Sequence, residues 1–358
     1  MINLRKFSWA LLVITVFLFL GCSHSPQIIT VYFETDGGTI IECISIESGS
    51  FLSLPENPSK QGFYFAGWHT DENFTIGFNQ WNPVTENSVL YAQWSDTEIN
   101  ENLLLLGHPG HTPEVFAPGF ISTELNSEFS GTFSPDYLHY FYTRRTETGT
   151  NRLYYTFFHN GEWSVPELSP ISEDVTEAEP FITNDGSTLY FQSRRENPNK
   201  IAVYQSSFIG GVWQEPVLSS NGLNDILVMY ITVADSGNIY FTGFSGNSPG
   251  IYVIEYMDGI YLPAKFTGIS GAHPYIAPDE SYILLDQGFG SADYIFISLN
   301  NNGSWTYPVK LSNEVNQTGA NQICPSVTTD GKFFFFSRFV DGKSDIFWVD
   351  SDYLLPYL

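Results

Sequence analysis

The sequence predicts an all-β protein, a five-bladed β-propeller behind a small β-grasp-like N-terminal module. Three observations carry this. A turn motif, typified by Pro180-Phe181-Ile182-Thr183-Asn184-Asp185-Gly186 ahead of the apolar run Thr188-Leu189-Tyr190-Phe191, occurs five times, with its aspartates at Asp136, Asp185, Asp235, Asp279 and Asp330. The spacings of 49, 50, 44 and 51 residues suit a unit of four short strands. The motif that ends the first four units is missing from the fifth and stands once ahead of the first, which is how a ring closes on a strand borrowed from the other end of the chain.

Composition narrows the function. With 39 Asp+Glu against 14 Lys+Arg, the net charge of -25 excludes a nucleic-acid backbone as partner, because phosphate binding needs clustered cations. At 42% hydrophobic and 16% aromatic residues the chain is not disordered. The charge keeps a large β surface soluble.

Residues 1–22 read as an export signal. Arg5 and Lys6 precede Trp9 to Leu20, a run shorter than the roughly 20 residues that span a bilayer. Phe19-Leu20-Gly21-Cys22 resembles the bacterial lipoprotein signal, with Phe19 in place of the usual aliphatic residue. That resemblance implies lipidation of Cys22, with acyl chains as the membrane anchor, in a bacterial cell envelope facing the periplasm or the exterior. Residues 23–29 are then a tether.

Residues 30–94 form a compact unit. Val31-Tyr32-Phe33-Glu34, the Asp36-Gly37-Gly38 turn and Thr39-Ile40-Ile41 read as a hairpin. Pro58, Gly62-Phe63, Ala66-Gly67-Trp68 and Tyr91-Ala92-Gln93-Trp94 complete a pattern that resembles the Listeria–Bacteroides repeat, a small module of bacterial surface proteins. The resemblance implies a spacer or an adhesin segment. A unit this small needs Trp68 and Trp94 for its own core, which favours the spacer. Residues 95–112 read as a polar linker carrying Leu103 to Leu106, a helix or strand packed on the propeller. His108 and His111 lack a carboxylate or cysteine to complete a metal site, so neither metal nor cofactor is expected. Cys43 and Cys324 are expected as separate buried thiols.

Residues 113–358 are the propeller. Each unit has an inner strand before the aspartate, a second strand after it (His139 to Tyr142 in the first), a third (Leu153 to Tyr155), and then an aromatic and a proline: Trp163 and Pro166, Trp213 and Pro216, Tyr261 and Pro263, Trp305 and Pro308. Proline suits an outer edge, where a missing N–H costs least, and the aromatic fills the wedge between blades. The fifth third-strand, Ile346 to Trp348, has no such successor, and the copy at Pro113 to Ile121 supplies it. Phe133-Ser134-Pro135-Asp136, Ile276-Ala277-Pro278-Asp279 and Val327-Thr328-Thr329-Asp330-Gly331-Lys332 resemble the WD-like repeat of the periplasmic Tol-system propeller family. Asp136, Asp235 and Asp279 depart from it in lacking a following glycine. The resemblance implies fold, since propellers host unrelated activities.

The axis selects the site. Strand entries carry Glu179, His273 and Cys324, and second strands end in Arg144 and Arg145, Arg194 and Arg195, Asp286, and Arg338. Arginines gathered at one level of an acidic chain read either as loop braces or as a mouth for an anionic ligand. The second alternative predicts that Arg195→Ala weakens binding more than folding. The turn aspartates read as structural. The ligand-binding set is Arg144, Arg145, Glu179, Arg194, Arg195, His273, Asp286 and Arg338. The leading expectation is a monomeric, lipid-anchored binding or scaffold protein recognising an envelope protein or glycan. The alternative is a glycoside hydrolase using Glu179, Asp286 and His273, which requires two carboxylates about 5–9.5 Å apart across a scissile bond.

Overall fold

The structure, a computed structural model, describes residues 27–358 except 79, 81, 96–102, 104, 225, 246–247 and 290–291. The expected signal and Cys22 lie outside the described residues. Among the described residues no helix is long and apolar enough to cross a membrane. The described residues are all-β: one N-terminal sheet, then five antiparallel sheets of four or five strands in succession, with a two-stranded hairpin (Tyr256–Met257 and Ile260–Tyr261) after the third strand of the third.

Strands β1 (Ile28–Glu34), β2 (Ile44–Glu47), β3 (Tyr64–His69) and β4 (Ser88–Ser95) make the N-terminal sheet in the order β2-β1-β4-β3, with β1 parallel to β4. Val31, Leu52, Phe65, Trp68 and Leu90 form its core, with Trp94 packed against it. The hairpin's second strand is not at Thr39–Ile41. Val31 pairs with Ile44, and Thr39 is drawn off to Ser59, donating its N–H to the Ser59 carbonyl at 2.9 Å and accepting the Ser59 N–H on its hydroxyl at 3.0 Å. Cys43, expected to be buried, falls in the resulting loop and is exposed, whereas Cys324 is buried. The end of the expected linker is packed: Leu103 and Leu106 share a core with Phe116 and Trp348.

The inner strands of the five sheets are Ser127–Phe133, Glu177–Ile182, Val228–Val233, Ala272–Ile276 and Asn321–Val327. Each pairs with the strand that follows its turn, and each pairing breaks register once, at a bulge. Asp136, Asp185, Asp279 and Asp330 accept from their own turns, as Asp185 does from the Ser187 N–H at 3.0 Å, whereas Asp235 accepts the Asn184 amide of the preceding sheet at 2.8 Å. The outer strands are displaced from the sequence expectation. Trp163, Trp213 and Trp305 sit on two-residue hairpins folded back on the third strands, and the outer pairings begin just past the prolines, as at Glu167–Leu168. The tryptophans still fill wedges: Trp213 meets Phe141 of the preceding sheet at 5.5 Å, and Trp305 meets Tyr240 of its preceding sheet at 6.1 Å.

Apolar clusters lie between the sheets. Phe141, Ile182 and Phe191 join the first and second, Val203 and Phe241 the second and third, Ile251 and Leu285 the third and fourth, Leu284 and Phe336 the fourth and fifth. Between the fifth and the first, Trp348 and Phe335 pack with Tyr140 around Phe116. Here β5 (Glu114–Val115) adds to the outer side of the fifth sheet, Val115 opposite Phe347 and Glu114 opposite Trp348.

Candidate functional site

The bulges put one residue per sheet into the left-handed backbone region: Ser130, Glu179, Tyr230, His273 and Cys324, with φ between 46° and 58°. For side chains other than glycine this costs about 1–3 kcal/mol each. The offset is a cycle of hydrogen bonds between sheets. Each bulge N–H donates to the sheet before it: Ser130 to Ser337 Oγ (3.1 Å), Glu179 to Thr143 Oγ1 (2.9 Å), Tyr230 to Glu179 Oε2 (2.9 Å), His273 to Thr242 Oγ1 (2.8 Å) and Cys324 to Asp286 Oδ1 (3.1 Å). Four of these acceptors come from second strands at one register, opposite the start of each bulge. In the second sheet that position holds Gln192, opposite Ala178, and its amide instead donates to Glu179.

Three predicted residues meet at the centre. His273 Nδ1 lies 2.7 Å from Asp286 Oδ1, and its Nε2 lies 3.6 Å from Glu179 Oε1. All three are buried. Burial alone disfavours the imidazolium, but Asp286 and Glu179 outweigh it and hold the His273 pKa well above its ordinary value. Burial also lifts the Asp286 carboxyl, against the pull of His273. Tyr230, its hydroxyl donating to the Pro325 carbonyl at 3.1 Å, and the Cys324 thiol are both pushed up by burial and stay neutral. The centre therefore holds His273, its pKa raised, between the side chains of Asp286 and Glu179. Toward the turn aspartates lies a depression lined by Thr132, Ile182, Tyr230, Tyr275, Thr328 and Phe335.

Arg144 and Arg338 are buried, whereas Arg145 is exposed. Arg144 Nε donates to Glu128 at 2.8 Å and its NH2 to the Ile121 carbonyl at 3.2 Å, with Tyr154 4.4 Å from the guanidinium. Arg338 donates to the carbonyls of Glu314 (2.9 Å) and Val315 (3.0 Å) and stacks on Phe347. These two share a register, opposite Glu128 and Gln322. The second sheet departs from the expected equivalence: Ser193 takes that position, opposite Glu177. Arg195, two residues on, returns to Glu177 at 2.8 Å and to the Ile171 carbonyl. Arg145 bonds Asn151 at 2.9 Å, and Arg194 bonds the Pro198 carbonyl at 3.0 Å. These are contacts within the chain: Arg144, Arg195 and Arg338 reach loop carbonyls, whereas Arg145 bonds its strand partner Asn151 and Arg194 its own loop.

Ser130 and Tyr230 belong to the axial set and were missed. The signal was there: Ser130, Glu179, His273 and Cys324 all stand six residues before their turn aspartate, and Tyr230 stands five before Asp235. Among the described residues no group of three or more His, Cys, Asp or Glu could hold a metal ion.

Residues 30–93 match the model of the Listeria-Bacteroides repeat domain. A protein of Evansella cellulosilytica whose name calls it a membrane protein is 35% identical over 92 residues, which is 25% of this chain and 14% of that protein. Among solved structures, one described as a TolB from Agrobacterium tumefaciens is similar with a TM-score of 0.43 at 14% identity, covering 63% of this chain and 78% of that one. TolB from Acinetobacter baumannii gives 0.38 at 19% identity, covering 62% and 54%. The fold rests on the sheets and their pairings, not on these likenesses. Residues 30–93 are a Listeria-Bacteroides repeat, followed by five antiparallel sheets whose inner strands meet at a buried polar cluster.

Proposed function

We propose that the five sheets are the blades of one closed propeller, spanning residues 113–358, and that the protein is an envelope binding or scaffold protein recognising a protein or glycan through the propeller face. The cycle of five bulge hydrogen bonds and the β5 pairing support five blades and closure. Residues 1–22 are the signal and Cys22 the lipid anchor, which Cys22→Ala tests: labelled palmitate is incorporated by the wild type and lost in the variant. An envelope address agrees with the membrane-protein name of the Evansella relative.

The observation that carries binding over hydrolysis is His273. It stands between Glu179 and Asp286, in contact with both, so the carboxylates face an imidazolium rather than a space where a glycosidic bond and a water can lie. The test pairs capture of partners from envelope extract and a glycan array with a glycosidase assay. Saturable binding by the monomer without turnover supports the proposal. Turnover abolished by both Glu179→Gln and Asp286→Asn overturns it in favour of the hydrolase.

A further inference from the structure

The joint between the repeat domain and the five sheets is built around His108. The repeat makes room for it: a Cβ on Gly67 would lie 2.6 Å from the His108 side chain, and one on Gly77 only 1.5 Å from its carbonyl oxygen. A Cβ on Gly110 would lie 2.2 Å from the Thr75 carbonyl. On its other side the His108 ring meets Phe333 at 5.8 Å, and the Gly110 carbonyl accepts the Asp350 N–H at 3.1 Å. His69 of β3 meets the His108 ring at 5.0 Å and Phe74 at 5.4 Å. Both histidines are buried, and both ring nitrogens of His69 and Nδ1 of His108 have no hydrogen-bond partner. The segment is a fitted wedge with two rings that are comfortable only when neutral.

We propose that His69 and His108 make this joint a pH-responsive latch, holding the repeat against the sheets while both rings are neutral and releasing it when they take up protons. The charged groups around the pair settle the sign. Burial lowers the His69 pKa from 6.5 to about 4, with Asp71 raising it and His111 lowering it. Burial lowers His108 to about 3, helped by His69 and His111 and opposed by the Pro109 backbone. Glu114, beside Gly77, is pushed by burial from 4.5 up to about 8. Lys332, Asp350 and Asp352 line the cleft that His108 shares, and burial lifts the Asp350 carboxyl.

Opening exposes these groups to water and returns them toward ordinary values. Below about pH 6.5 opening takes up two protons on the histidines and releases one from Glu114. Between about pH 6.5 and 8 it only releases the Glu114 proton. The latch is therefore tightest near pH 6.5 and loosens roughly tenfold per pH unit on either side.

Amide hydrogen exchange on the full chain, corrected for intrinsic rate from pH 5 to 8.5, reads this at the Asp350 amide, whose bond crosses the joint. Amides of the second strands serve as reference. Protection at Asp350 peaks near pH 6.5 in the wild type. His69→Leu flattens the acid arm, because one proton taken up then cancels one released. Glu114→Gln flattens the alkaline arm and steepens the acid arm to roughly a hundredfold per unit. Flat protection at Asp350 in the wild type, or an acid arm unchanged in His69→Leu, overturns the proposal. If His69→Leu does not fold, His69→Gln carries the same test.

Discussion

Two buried histidine sites in this chain hold opposite charge states. At the axis, His273 lies between Asp286 and Glu179 and is kept an imidazolium. At the joint, His69 and His108 lie against each other, Phe74 and Phe333, with no polar partner for three ring nitrogens, and are kept neutral. Burial pushes both sites the same way. What differs is whether an opposite charge sits in contact, and in a poorly solvated interior that decides protonation. The two sites should therefore answer pH in opposite senses.

The largest effect tests the axis. His273→Leu leaves two carboxylates buried without their counter-charge and should cost about 3–5 kcal/mol in urea unfolding near pH 6.5. Because the folded-state pKa of His273 is raised, its contribution is complete below the ordinary value of 6.5 and is lost as pH rises toward the raised one. The gap between wild type and His273→Leu should shrink with rising pH; a gap that widens would show the ring to be neutral in the fold. Next, Arg195→Ala removes the partner of buried Glu177 and should cost about 1.5–3 kcal/mol. Unchanged stability with lost capture of an envelope partner would instead place Arg195 in the binding face.

At the joint, Gly77→Ala drives a methyl into the His108 carbonyl. It should lower stability by about 1–3 kcal/mol and abolish protection at the Asp350 amide, leaving the second-strand amides protected. A uniform loss across all sheets would mean that the repeat and the sheets unfold as one unit. The smallest effect is that of His69→Leu at neutral pH. The ring it replaces is already uncharged and unpartnered, so the change should stay within about 1 kcal/mol while acid tolerance improves. A fall of several kcal/mol at pH 7 would mean that His69 makes a polar contact after all.

Much of the fold was legible because repetition is visible in one dimension. The turn aspartates marked five sheets, and the early copy around Phe116 pointed to the strand that pairs beside Phe347. Glu179, His273 and Asp286 were chosen by their place in the repeat, and the structure brings them into contact. Ser130 and Tyr230 were passed over because they were not read as chemistry. Their role lies in the backbone, in a left-handed φ and a buried N–H. The Arg144 and Arg338 side chains were placed at the right strand ends, but their direction was not readable. It depends on loop carbonyls more than 20 residues away in sequence.

The sequence by itself determined the all-β class, the repeat period, the match of residues 30–93 to a known module and the candidates for the axis, because each is written in local spacing and residue type. Tertiary structure alone decided that the His273 pKa is raised while those of His69 and His108 are lowered, that Arg144, Arg195 and Arg338 reach loop carbonyls, and that the wedge at His108 joins repeat to sheets. Protonation and side-chain direction depend on which groups meet in the interior, and those groups come from segments far apart in the chain.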